Sequence, residues 1–440
     1  MREHFFSLID SLAAGLGGPE VLLASYSGEE SDFVRFNHAK VRQAGSVRQG
    51  YVSLELIGGK RHARATVGVA GDAGTDLPRL TALLGALRDR LPHVPEDPYL
   101  LYATEPVSGE QVGEDRLPDA ADAVDAVLAA GAGRDMVGLY AAGGIFAGFA
   151  NSLGQRNWFA SYSYHVDWSF YLAADKAVKS TFAGFDWDAG ALARKAEEAA
   201  GQLEMLALPA RTLQPGGYRV YLAPEATAEL LGTLSWGGFG LKAHRTKTTS
   251  LLKMIEGGAA LHPSVMLREN TRDGLAANFD SAGFIKPDCV TLIEAGRFRD
   301  CLVSPRSAAE YGVPTNGAGA GEAPASLDMA GGSIPPDGVL AELDTGIYAS
   351  QLHYLNYSDR PGCRITGMTR FATFWVEGGR IVAPLNVMRF DETVYRALGE
   401  NLLGLTDQAE LIPSTSTYGG RSTASVRAPG ALIEDFRLVL

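Results

Sequence analysis

From Val21 to Val69 apolar and polar residues alternate in strand fashion, and glycine-bearing turns separate the runs. Alternation sends successive side chains to opposite faces, so such a segment buries one face only as part of an antiparallel sheet. The Gly58-Gly59 pair between YVSLELI and KRHARATVGV predicts a two-residue hairpin turn, with Leu54, Leu56, Val67 and Val69 at the apolar positions.

Helices bracket this meander. Phe5, Phe6, Ile9 and Leu12 make residues 1–18 amphipathic, with Gly17-Gly18 as the stop. Leu77 to Leu91 has apolar residues at i, i+3 and i+4, and the prolines of PHVPEDPYL end it. Asp119 to Ala130 and Ala189 to Leu206 repeat the helical pattern, and aromatic-rich strands lie between them. Proline and glycine cluster at PARTLQPGG, after which a strand and a helix opened by Pro224 and Glu225 begin a new pattern. The chain therefore reads as α+β. Residues 1–210 form an N-terminal domain of helices and antiparallel sheet, and 211–440 a C-terminal domain dominated by antiparallel β-sheet. Within the latter, Gly312 to Gly338 is so poor in large apolar residues that it is expected to run as a long surface loop, or as a mobile cover over a cleft.

At 440 residues, with 46% hydrophobic and 20% charged residues, the chain has the composition of an ordinary globular protein of two or three domains. A net charge of −12 argues against a surface that tracks phosphates, so no nucleic-acid grip is expected. The first residues carry charge and then an amphipathic pattern instead of the continuous apolar run of a signal peptide, and no stretch is long and apolar enough to span a membrane. The expected compartment is cytoplasmic. Cys289, Cys301 and Cys363 have no C-x-x-C spacing and read as reduced thiols, each a small buried hydrophobe. No nucleophile elbow, P-loop or dinucleotide fingerprint is present; the alternating glycines of 317–321 lie in loop.

Several phrases, in order along about nine-tenths of the chain, resemble the TldD/PmbA family, once called modulators of DNA gyrase. They are DFVRFNHAKVRQAG from Asp32, the turn Ala150 to Gly154, the IEAGR turn within AGFIKPDCVTLIEAGRFRDCLV, GIYASQLHYLNY from Gly346, and TGMTRFATFWVEGGRIVAPLN from Thr366. The resemblance implies a two-domain subunit that forms homodimers or pairs with a TldD-like peptidase. It also implies that a peptide is threaded into an enclosed cavity and that zinc resides in the TldD-like partner.

Zinc hydrolysis needs imidazoles one helical turn apart and a carboxylate beside the bound water. In the catalytic members of this family the source is His-Glu-x-x-x-His on the helix that opens the second domain, with a Cys from the C-terminal segment. At the first place this chain reads APEATAELLGTLSWGGFG, with Glu225 and Glu229 and no histidine. At the second it reads LIPSTSTYGGRSTASVRAP, without a thiol. Its eight histidines include no pair at three- to five-residue spacing. The expectation is a TldE-like subunit with no metal, no cofactor and no catalytic residue of its own.

For a substrate groove the candidates are His353, Tyr354 and Asn356, with Thr369 and Arg370 of the TGMTR phrase. A strand there would place His353 and Leu355 on one face and Tyr354 and Asn356 on the other. Two other readings stay open. One is a stand-alone hydrolase built around His353, Cys363 or the Glu225/Glu229 pair, although on an Ala/Leu-rich helix those acids are more simply a solvated face. The other is a regulatory protein that binds other proteins.

Overall fold

A computed structural model describes residues 1–173 and 176–439. The N-terminal half is a seven-stranded sheet in the order β3-β2-β1-β5-β6-β4, with β7 also on β6. The strands are β1 (Val21–Asn37), β2 (Lys40–Gly58), β3 (Arg61–Gly68), β4 (Gly109–Val112), β5 (Asp135–Asn151), β6 (Arg156–Ala173) and β7 (Lys176–Gly184). Four helices, α1 (Arg2–Ala13), α2 (Ala73–Arg90), α3 (Ala120–Ala130) and α4 (Ala189–Leu206), complete it. The strands are long enough to serve two separate cores. Phe5, Ile9, Leu80 and Leu84 from α1 and α2 cover Leu22, Leu54 and Trp158. Val127, Leu192 and Ala196 from α3 and α4 cover Phe36, Tyr140 and Trp168.

The C-terminal half is an eleven-stranded mixed sheet. Its strands are β8 (Gly216–Leu222), β9 (Leu267–Glu269), β10 (Val290–Glu294), β11 (Arg297–Phe298), β12 (Ser326–Met329) and β13 (Gly346–Asp359), then β14 (Arg364–Glu377), β15 (Arg380–Pro384), β16 (Arg389–Thr393), β17 (Leu402–Pro413) and β18 (Ser425–Leu438). Most pairs are antiparallel; β12–β18 and β8–β13 are parallel. Because β8 pairs with both β13 and β18, the path β18-β16-β14-β13-β8 closes on itself and leaves those strands no free edge. Helix α5 (Pro224–Leu234) follows β8 and drives Ala226, Leu230, Leu231 and Leu234 into the large core beneath.

Among the described residues, three hairpins are closed by two residues that both take positive φ: His38-Ala39, Ala295-Gly296 and Gly378-Gly379. That conformation matches the right-handed twist of the flanking strands. All three lie in the phrases that carried the family resemblance, which thus mark turn chemistry.

The structure corrects several details. The hairpin between β2 and β3 turns at Gly59-Lys60, one residue later than read, with Gly59 at φ +62°. Helix α1 stops at Ala13 instead of running on to the glycines, and α2 starts earlier, at Ala73, where Asp72 accepts a hydrogen bond from the Thr75 amide. The segment 312–338 is not all surface loop. Ser326–Met329 is a fully buried strand between β9 and β18, with Leu327 and Met329 in the core. Four residues among glycine, alanine and proline are too short to show a period. Cys301 and Cys363 are buried as expected, whereas Cys289 is exposed.

Candidate active-site cleft

Helix α5 owes its start to Pro224 at its first position, where the missing N–H has no intrahelical partner to lose. Its buried stripe faces the core. The opposite stripe, Glu225, Ala228, Glu229 and Gly232, follows the i, i+3, i+4, i+7 spacing of one helical face and lines a cleft of about 490 Å³. This is no freely solvated face. Ser235 and Trp236 extend the wall, Lys179 and Thr181 of β7 enter from the N-terminal half, and Gln351, Leu327 and the ends of β17 and β18 complete it. A side chain on Gly232 would meet nothing within 4 Å. Gly232→Ala is accordingly expected to stabilise the protein by about 0.5–1 kcal/mol, read from the urea midpoint, since alanine restricts the unfolded chain and favours the helix.

Burial pushes the Glu225 carboxyl up, although Lys195 and the Gln351 amide pull against it. The same cause raises Glu229 to about 7. Glu229 offers much of its surface to water in the cleft, so screening blunts this effect; the direction stands because the nearest cations are already engaged. Lys179 lies 3.6 Å from Asp167 and Lys195 3.6 Å from Glu410. The cleft therefore carries a pair of acids, one turn apart, with no ion-pair partner among the described residues; Lys179 and Lys195 act on them only at longer range.

The donor set does not suit zinc. Structural and catalytic zinc sites draw on imidazole and thiolate, and α5 presents carboxylates only. Among the described residues no three His, Cys, Asp or Glu side chains converge as a metal site. At the place where the family resemblance implies His-Glu-x-x-x-His, α5 carries Glu225 and Glu229 and no histidine. The Ser/Thr-rich segment 414–424 does reach the cleft, through Ser414, Thr415 and Ala424.

The five groove candidates lie farther along β13 and β14, outside the residues that line this cleft. His353 is half-buried, its ring 6.0 Å from that of Tyr354, and burial lowers its pKa. Tyr354 is 80% exposed at φ +55°, within an irregularity that interrupts the register between His353 and Asn356. Asn356 is exposed opposite Thr366. Thr369 is buried and accepts a 3.0 Å hydrogen bond from the Met388 amide, while Arg370 stacks over Phe371. Gln351, two residues before His353, is the β13 side chain that lines the cleft. The signal for the acidic pair was visible as the stripe Glu225, Glu229 and Gly232; Lys179 had none.

Fold and site together define a two-sheet α+β protein with a ligand-sized cleft at the strand-to-helix junction of its second half. The chain belongs to the PmbA/TldD family: residues 215–439 match the PmbA/TldA metallopeptidase C-terminal domain. It superposes on TldE from Thermococcus kodakarensis with a TM-score of 0.80 at 14% identity, over 99% of this chain and 100% of that one. A protein from Thermotoga maritima described as a modulator of DNA gyrase gives 0.77 at 14% identity, over 99% of both chains. One of like description from Bacteroides thetaiotaomicron gives 0.76 at 16%, over 99% of this chain and 98% of that one. At such identities the likeness is one of fold. No curated protein matches the sequence. No helix among the described residues is long and apolar enough to cross a membrane.

Proposed function

We propose that this chain is a TldE-like, non-catalytic subunit that binds peptide or unfolded polypeptide beside a zinc-bearing TldD-like partner, and that it works in the cytoplasm. The observation that carries this reading is α5, which places two carboxylates in the cleft where the catalytic members present His-Glu-x-x-x-His. The likeness to TldE supports the same reading. The partner is a TldD-like chain or a second copy. The test is cleavage of a fluorogenic peptide panel by the pure chain, with and without zinc, and again after mixing with a family member that carries the histidine motif. Cleavage only in the mixture, with co-elution of the two chains, is expected. Turnover by the pure chain would sink the proposal and point to the carboxylate pair as its own acid and base.

A cleft whose two carboxylates have no ion-pair partner among the described residues favours peptides that carry lysine or arginine. Because burial holds the Glu229 carboxyl above the usual carboxylate range, such peptides are expected to bind more tightly as pH rises from 5 to 8 and the carboxylate ionises. Glu229→Gln is expected to flatten that profile and weaken binding by about 1 kcal/mol, roughly fivefold, as loss of one part-screened charge contact predicts. Isothermal titration across the pH range measures both; an unchanged profile in the variant would remove Glu229 from the ligand contact.

A further inference from the structure

Between β17 and β18 the chain leaves the C-terminal sheet and runs as an irregular strap, residues 414–424, across the open face of the N-terminal sheet. The strap walls two compartments. Ser414, Thr415 and Ala424 line the acidic cleft. Thr417, Gly419 and Gly420 line a second pocket, about 460 Å³, whose floor is the face of β1 and β2 that carries Glu29, Phe33 and Arg35. Within 415–423, the described hydrogen bonds to the N-terminal half run through Gly419 and Arg421 alone.

Arg421 lies across a single row of paired residues: Ser31 on β1, Gly143 on β5 and Ser163 on β6. Its guanidinium donates to the Ser163 carbonyl at 2.7 Å and Oγ at 2.8 Å, to the Gly143 carbonyl at 3.1 Å and to Ser31 Oγ at 3.3 Å. The row forms a trough because its members are small. Gly143 is fixed by its neighbour, since a Cβ there would lie 2.0 Å from the Glu30 carbonyl oxygen. All four guanidinium contacts are neutral oxygens, and Nε has no partner among the described residues. Hydrogen bonds from a charged donor favour the docked state and the nearby Glu29 carboxylate adds attraction, but with no carboxylate among the four guanidinium contacts to offset the lost hydration the margin is modest, so the docked state dominates and yet can be left.

We propose that Arg421 is a releasable latch: docked in the Ser31–Gly143–Ser163 trough it holds the strap as the common wall of both compartments, and undocked it lets them open into each other. The latch needs the forked geometry of arginine, because lysine cannot reach acceptors on three strands at once.

Hydrogen exchange on the full chain tests this, with wild type beside Arg421→Ala, Arg421→Lys and the milder Ser163→Ala. In Arg421→Ala, amides of 414–424 and of the adjoining cleft ends, 411–413 and 425–426, are expected to exchange about tenfold faster or more, as loss of the strap's main tether predicts. Arg421→Lys should resemble it, and Ser163→Ala should show a smaller acceleration in the same segment. Chymotryptic cleavage after Tyr418, which is 99% exposed, should quicken in the same order. Unchanged strap exchange in Arg421→Ala would overturn the latch. So would acceleration spread equally over β5 and β6, in Ser163→Ala as well, because Arg421 would then be part of the N-terminal core's own support.

Discussion

Truncation of Phe374 to alanine is expected to cost about 3–5 kcal/mol, the range for deleting a fully buried aromatic ring. Phe374 is 0% exposed and stands at the joint between the halves. From β14 it enters the cluster that Tyr140, Trp168, Leu192 and Ala196 build in the N-terminal half, and its ring lies 6.3 Å from that of Tyr348. The cavity therefore opens between the two sheets. Urea unfolding followed by tryptophan fluorescence should show the loss and a separation of the transition into two steps. Leu8→Ala is the control: it removes a buried side chain from the α1–α2 cluster, away from the joint, and should cost about 2–5 kcal/mol by weakening the N-terminal half. A cost below about 1 kcal/mol for Phe374→Ala, the ordinary size for a surface change, would show that the joint does not bind the halves together.

Acidification should cost about 3 kcal/mol through His165 alone. This imidazole is 2% exposed on β6, and its Nε2 has no hydrogen-bond partner among the described residues. Burial, then the nearby Arg421 guanidinium, lowers its pKa from 6.5 to about 4. The folded state thus refuses a proton that the unfolded chain accepts. Above pH 6.5 neither state is protonated and the contribution is complete. As pH falls from there towards 4 only the unfolded state gains the proton and stability drains away, at about 1.4 kcal/mol per unit. His165→Phe keeps an apolar ring of similar shape and removes the titration. The difference between wild type and variant, from urea unfolding at pH 7, 5.5 and 4.5, cancels the carboxylates common to both. Parallel pH profiles would show that His165 is protonated, or hydrated, in the folded protein.

Much of the fold was legible locally. The helix 189–206, the strand–helix step at Pro224 and the long alternating strands carry their own period, their own cap or their own breaker. The hairpins at His38-Ala39, Ala295-Gly296 and Gly378-Gly379 need positive φ at two successive residues, a demand on the backbone that few residue pairs meet, so the phrases around them pointed to the family. The absence of the histidine pair and of the cysteine is likewise a fact of composition at fixed places.

Other features follow from contacts between residues far apart in the chain. Ser326–Met329 is a strand because β9 and β18 flank it; nothing within four residues announces this. Lys179 and Gln351 reach the cleft across 172 positions of sequence, by virtue of strand pairing. His353 and Arg370 were singled out on local pattern, whereas the residue of β13 that lines the cleft is Gln351, the partner of Arg370 across the strand pair. Nothing in the Ser/Thr-rich segment itself announces the trough that receives Arg421, nearly four hundred residues from Ser31. Periods, caps and turn chemistry depend on neighbours within a few residues, so they are written along the chain. Burial of a charge, the lining of a cleft and the docking of a guanidinium depend on which distant segments the closed sheets bring together, and they exist only once the two cores have formed.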